Sequence, residues 1–306
     1  MGKGRFAPSP SGRMHLGNAC SALVSWLSAR SADDAFSLRL EDLDDRCQSA
    51  ENARLIVDDL AWLGLDWDEQ LTQTTRISAY QSAFETLCSR DHVYPCFCSR
   101  ADLHAASAPH ASDGTPLYAG TCRSLTPQQV AQKSRVRQPA YRIEVPDKTI
   151  EFTDGHLGPV RQNLAAECGD FVLRRSDGVF AYQLVCVVDD ALTGCTQVVR
   201  GDDLLSSTPR QLFLYDRLGY GAPQFFHHPM LLSPDGRRLS KRDRDLDLGE
   251  LRARHVAPER LVGKLAFMLG IIEQPEPCRP DELIGEFSWA KLPSHDLVVD
   301  GSEFIA

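Results

Sequence analysis

Between Gly4 and Asn18 the chain reads GRFAPSPSGRMHLGN. Ala19, Ala22, Leu23, Trp26, Leu27 and Arg30 then recur at helical spacing with the apolar members on one stripe, which puts the first turn of a helix at His15 to Asn18. Unpaired N–H groups in such a turn, at the positive end of the helix dipole, form an anion site. Gly17 lets a phosphate approach the backbone closely, and His15 adds a donor to the same phosphates. Taken alone, His15-Leu16-Gly17-Asn18 is better explained by a proline-rich turn capping an ordinary helix.

Three further groups carry chemistry. After Pro229-Met230-Leu231-Leu232 and the turn Pro234-Asp235-Gly236 comes the basic run Arg237-Arg238-Leu239-Ser240-Lys241-Arg242, in isolation an exposed basic turn. A middle block runs from Ala181-Tyr182-Gln183-Leu184 through Asp189-Asp190, then Val198-Val199-Arg200-Gly201-Asp202-Asp203 to Ser207-Thr208-Pro209-Arg210-Gln211. It reads as two short β-rich runs flanking a Gly turn, after which Thr208 caps and Pro209 opens a helix carrying Leu212, Tyr215 and Leu218 up to Gly219. Third, Cys96-Phe97-Cys98 and the distant Cys122 can converge on a tetrahedral Zn²⁺ if a fourth ligand exists. His104, His110 or a water would serve, and three unrelated buried thiols are the alternative.

The elements that must position these groups can be read in outline. Residues 1–94 read β-α-β-α-α, with Phe36, Leu38 and Leu40 alternating with Ser37, Arg39 and Glu41 as the apolar and polar faces of a strand. On that reading Arg39 and Glu41 form a surface salt bridge. Ser49 opens a helix with Ile56, Val57, Leu60 and Ala61 on its stripe, ending at Gly64; Tyr80, Phe84 and Leu87 mark another. This alternation argues an α/β fold with a doubly wound parallel sheet and ligands beyond the carboxyl ends of its strands. Residues 95–180 read as an inserted subdomain, 181–230 as the second half of the sheet domain, and 231–306 as a basic loop followed by a helical C-terminal part.

Composition narrows the class. Lys and Arg total 33 against 42 Asp and Glu, a formal net charge of −9, which argues against a large nucleic-acid footprint but not against a local basic face. Candidate faces are Arg237, Arg238, Lys241, Arg242 and Arg244, and separately Lys133, Arg135 and Arg137. No segment reads as a membrane span or export signal, so a cytoplasmic location and no membrane partner are expected. The ten cysteines are therefore expected as buried thiols or metal ligands rather than disulfides.

Taken together, the motifs resemble those of class I glutamyl- and glutaminyl-tRNA synthetases. Arg5 to Gly12 and His15 to Asn18 match R-F-A-P-S-P-[ST]-G and H-[IL]-G-[HGN], and the basic run is similar to the mobile K-[ML]-S-K-S loop, with Arg238 for the first Lys and Arg242 for the last Ser. The resemblance implies a Rossmann-like catalytic domain that activates glutamate with ATP and Mg²⁺. It implies His15, Gly17 and Lys241 as catalytic, His15, Gly17, Asn18 and Lys241 at ATP, and Arg5, Phe6, Ala7, Pro8, Ser9, Glu41, Tyr182 and Arg200 at the amino acid. The truncated relatives carry C-x-C…Y-x-x-x-C, which implies a structural zinc on Cys96, Cys98, Tyr118 and Cys122 in an inserted subdomain facing the tRNA acceptor end. With the sequence ending at Ala306, no anticodon-binding domain is expected. The chain is most similar to the glutamyl-queuosine tRNA(Asp) synthetase family, which implies L-glutamate, ATP and queuosine-containing tRNA(Asp) as partners and a monomer. A truncated synthetase charging a tRNA 3′ end and an inactive RNA-binding paralogue are the alternatives.

Overall fold

The computed structural model describes residues 1–99, 102, 117–237, 239, 247–300 and 302–305. Strands β1 (Lys3–Phe6), β2 (Ala35–Leu40) and β3 (Glu69–Thr72) pair in parallel in the order β1-β2-β3, with Phe6 opposite Leu38 and Leu40 opposite Thr72. Helix α1 (Leu16–Ser31) returns the chain from β1 to β2, and α2 (Ala50–Trp62) lies between β2 and β3. Ser49 caps α2 as its sequence suggests, its hydroxyl accepting from Asn52 N at 3.2 Å. From Leu16 to Ala29 most of α1 is buried, not one stripe alone, because it is packed between the sheet and the C-terminal part of the chain.

Helix α3 (Ile77–Arg90) buries Tyr80, Phe84 and Leu87 and leads into antiparallel structure. Here β4 (Val93–Cys96), β5 (Ala140–Ile143) and β8 (Phe171–Arg174) form one sheet, and β6 (Thr149–Asp154) and β7 (Gly158–Asn163) form a hairpin. A short helix α4 (Pro127–Ser134) lies between β4 and β5 in sequence, and Lys133, Arg135 and Arg137 at and beyond its end are exposed.

The parallel pattern resumes with β9 (Gln197–Gly201) and β10 (Gln224–His228), joined through helix α6 (Thr208–Leu218) and preceded by helix α5 (Tyr182–Leu192). The first of the two runs expected to be β-rich is thus the helix α5. Its run of Val and Leu is apolar enough for either form, and a buried helix wins because Leu184 to Val188 and Asp189-Asp190 all find interior partners. Thr208 is the first residue of α6 rather than its cap, Pro209 follows at a position where no N–H is needed, and Gly219 ends the helix in the left-handed region at φ 72°.

Strands β1 and β9 lie side by side, so the parallel strands run β3-β2-β1-β9-β10 in space, the doubly wound order with its switch between β1 and β9. No strand ladder joins these two among the described residues. Thr196 N donates to Lys3 O at 2.9 Å at one end, and Arg5 Nη1 donates to Val199 O at 3.0 Å further along.

The C-terminal part is not wholly helical. It opens with β11 (Leu231–Leu232), pairs that strand in parallel with β12 (Leu297–Val298), and places helices α7 (Leu248–Ala253) and α8 (Pro258–Met268) between them. Two larger cores result. One packs α1, β1 and β2 against α2 and the C-terminal part; the other gathers α3, α5, α6 and β8.

Candidate active site

The switch between β1 and β9 opens at the carboxyl ends of the strands into a cleft of about 390 Å³. Arg5, Phe6, Ala7, Pro8, Ser9, His15, Gly17, Asn18, Glu41, Tyr182 and Arg200 all line it. Residues spread over most of the chain are thus brought to one surface. Lys241, and with it Arg238 and Arg242, lies outside the described residues. The chain on either side of it reaches the cleft: Leu239 lines the wall, and Asp247 forms an antiparallel bridge with His15.

The turn Ala7–Met14 is fixed at several points. Glu41 N donates to Pro8 O at 3.0 Å, closing the turn against the end of β2. Arg13 Nη2 bonds Asp59 Oδ1 at 3.1 Å, and Arg252 Nη1 reaches the same oxygen at 3.2 Å, so one fully buried carboxylate on α2 holds the turn and α7 together. His15 is the N-cap of α1, its own N–H donating to Asn18 Oδ1 at 3.2 Å. A Cβ at Gly17 would stand 3.1 Å from His15 Nδ1 and Cε1, so the glycine gives the imidazole its place as well as leaving the helix N–H groups open.

Arg39 is 1% exposed, so the salt bridge to Glu41 expected at the surface is present but buried. It bonds Asp190 Oδ1 through Nη1 and Glu41 Oε1 through Nη2 at 3.1 Å. Arg5 Nε reaches Asp190 Oδ1 at 3.4 Å. Burial is the largest influence and opposes charge on both arginines, but Asp190 and the other acidic neighbours together outweigh it and raise both. Burial likewise works against the Asp190 carboxylate, but Arg39 and Arg5 hold it below its ordinary value. Glu41 differs: burial pushes its carboxyl up, against the pull of Arg39 and Arg5, and it accepts from Cys186 Sγ at 3.4 Å. A carboxylate in that state gains from a further cation.

Arg200 is held from several sides. Nη1 bonds Gln211 Oε1 at 2.9 Å and reaches the Tyr182 hydroxyl at 3.4 Å, Nη2 bonds Thr208 Oγ1 at 2.8 Å, and Nε bonds His227 Nε2 at 3.0 Å. Burial raises the Tyr182 phenol, leaving it a neutral donor. The sequence reading missed Asp190, Arg39 as a buried partner, and His227. The Asp189-Asp190 pair on an apolar run was the one available signal, since two adjacent carboxylates there demand cationic partners.

Away from the cleft, Cys96, Cys98 and Cys122 bring their sulfurs within 4.8 Å of one another. Cys98 Sγ lies 3.7 Å from Cys122 Sγ, close to the edge of about 3.8 Å that a tetrahedral Zn–S₄ unit requires. The Tyr118 hydroxyl stands 3.5 Å from Cys96 Sγ and 4.0 Å from Cys98 Sγ. Burial and the neighbouring Cys96 push the Cys98 thiol up to about 12, so a thiolate at Cys98 gains from a cation in this cluster. The donor set fits zinc; His104 and His110 lie outside the described residues. None of the ten cysteines is in a disulfide.

Among the described residues no helix is long and apolar enough to cross a membrane. The family described as tRNA synthetases class I (E and Q), catalytic domain, matches residues 3–300. A relative from Symbiobacterium thermophilum, named glutamyl-Q tRNA(Asp) synthetase, is 49% identical over 95% of this chain and 93% of its own length. A glutamate–tRNA ligase from Aquifex aeolicus is 40% identical over 87% of this chain, which spans 57% of that enzyme. A glutamate tRNA ligase from Elizabethkingia meningosepticum, solved with its amino acid, superposes with a TM-score of 0.84 at 26% identity, covering 99% of this chain and 68% of the other. Cleft, strand order and relatives agree: the chain belongs to the class I tRNA synthetases of the E and Q type, and is a ligase by its catalytic domain.

Proposed function

We propose that the protein activates L-glutamate with ATP and transfers the glutamyl group to queuosine at the wobble position of tRNA(Asp). The observation that carries this reading is the gathering of the phosphate-type and carboxylate-type residues in one cleft, in a chain whose near relatives bear the glutamyl-Q tRNA(Asp) synthetase name.

In the first step an oxygen of the glutamate α-carboxylate attacks the α-phosphorus of ATP, and the bond to the bridging oxygen breaks as pyrophosphate leaves. In the second, a ring hydroxyl of queuosine attacks the activated carbonyl, losing its proton as AMP departs. No protein nucleophile is needed, so the work is positioning and charge stabilisation. His15, the Gly17 N–H, Asn18 and Lys241 serve the phosphates, and Mg²⁺ travels with ATP. Arg5 and Arg200 face the side-chain carboxylate, Glu41 receives the ammonium group, and Phe6, Ala7, Pro8, Ser9 and Tyr182 shape the pocket. Zinc held by Cys96, Cys98, Tyr118 and Cys122 would stiffen the 95–180 insertion, residues 1–94 and 181–230 forming the sheet domain and 231–306 the loop and C-terminal part. The chain acts as a monomer.

The Aquifex aeolicus ligase supports a second reading, charging of a tRNA 3′ end. Transfer of labelled glutamate to tRNA(Asp) with and without queuosine, beside tRNA(Glu), separates the two. Label confined to queuosine-containing tRNA(Asp) and indifferent to periodate oxidation of the 3′ end is the expected result. Label on tRNA(Glu) that oxidation abolishes would establish the second reading instead.

A further inference from the structure

His227 on β10 is completely buried, lies opposite Arg200 in the β9-β10 register, and stands between two partners whose roles are fixed by chemistry. Its Nδ1 is 2.6 Å from Asp154 Oδ2, and its Nε2 is 3.0 Å from Arg200 Nε. A guanidinium only donates, so Nε2 must carry a lone pair. An ionised carboxylate only accepts, so Nδ1 must carry the hydrogen. Asp154 is ionised because its other oxygen accepts from the backbone N–H groups of His156 at 3.0 Å, Leu157 at 2.9 Å and His227 at 3.2 Å. Burial works against that charge, yet His227 and these N–H groups hold Asp154 below its ordinary value.

We propose that Asp154 and His227 are positioning residues for the amino-acid pocket: Asp154 fixes His227 in the Nδ1–H tautomer, and the bare Nε2 orients Arg200 toward the substrate carboxylate. This rests on the role given to Arg200 under the proposed function. With Nε taken by His227, Nη1 by Gln211 and one Nη2 hydrogen by Thr208, the guanidinium is fixed in its plane and rotation. Asp154 ends β6, so the aim of Arg200 is set from the antiparallel hairpin.

The groups facing His227 are Asp154 on β6, Arg200 on β9, Asp203 beyond β9, Thr208 on α6, and the adjacent His228. Burial depresses its pKa, Asp154 opposes this and Arg200 adds to it, so the ring is neutral at neutral pH.

Asp154→Asn gives the test. The three backbone donors retain the amide oxygen, which turns the NH₂ toward Nδ1, forces the hydrogen onto Nε2 and sets donor against donor at Arg200. In glutamate-dependent ATP–pyrophosphate exchange, KM for glutamate is expected to rise about tenfold or more while KM for ATP stays within about twofold. His227→Gln, which retains an acceptor for Arg200, recovers most of the glutamate affinity that His227→Leu loses. In ¹⁵N-histidine NMR, wild-type His227 shows the neutral Nδ1–H form at pH 7, independent of activity and of whether any variant folds. An Nε2–H or doubly protonated ring in the wild type, or an unchanged glutamate KM in a folded Asp154→Asn, overturns the relay. Exchange that ignores glutamate in the wild type overturns the proposed function instead, and the tautomer still decides the relay.

Discussion

Asp190 holds Arg39 in the buried centre of the protein, its Oδ1 accepting from Arg39 Nη1, and the same oxygen also receives Arg5 Nε at 3.4 Å. One carboxylate on α5 therefore ties β1 and β2 to the second half of the sheet. Replacing it leaves two guanidinium groups without their shared counter-charge. Asp190→Ala is expected to cost about 3–5 kcal/mol of unfolding free energy in urea titration; a loss below about 1 kcal/mol would mean that Arg5 and Arg39 find other partners.

Gly17→Ala brings a methyl group against the His15 ring, which must yield by a few tenths of an ångström. Glutamate-dependent pyrophosphate exchange is expected to fall about tenfold to a hundredfold with an unchanged melting temperature. Equal rates would show that the imidazole has room to move.

Lys241→Ala removes the cation assigned to the ATP phosphates. The activation rate is expected to drop by about two to three orders of magnitude while far-ultraviolet circular dichroism stays the same. Undiminished exchange would take Lys241 out of the site.

Cys98→Ser weakens the thiolate set without changing its shape. Wild-type protein is expected to carry about one zinc per chain by elemental analysis, and the variant markedly less. Metal-free wild type, or full zinc in the variant, would contradict the assignment.

His228 is 1% exposed, and burial holds it at about 4, below the ordinary histidine value. Its native state refuses a proton that the unfolded chain accepts, so its contribution is present above the unfolded value and lost as pH falls toward 4. Over that window the cost reaches about 3 kcal/mol. His228→Leu should flatten the wild-type decline in stability between pH 6.5 and 4.5, measured by urea midpoints. Parallel curves would show that carboxylates alone cause the decline.

Much of the cleft was legible because its residues cluster in short segments. The turn from Arg5 to Asn18 combines a glycine, a helix start and basic groups within a few residues, and the local physics of a helix N-terminus needs no distant information. The Cys-x-Cys pair is readable for the same reason, whereas Tyr118 enters only through the family resemblance. What sequence hid was long-range compensation. Arg39 looked like the polar face of an exposed strand, because nothing within β2 reveals that Asp189 and Asp190, some 150 residues later, lie over it. The α5 run passed for a strand because β-branched apolar residues fit either form until burial on all sides decides. Asp154 and His227 lie 73 residues apart and carry no local signal at all.

The boundary between β1 and β9, joined by few bonds rather than a strand ladder, gives the amino acid an architectural part. Arg5 belongs to one bank of that gap and Arg200 to the other, and among the described residues no strand ladder joins the two. Under the proposed function, glutamate held by both would bridge the two halves of the sheet at the point where the strands themselves are not paired.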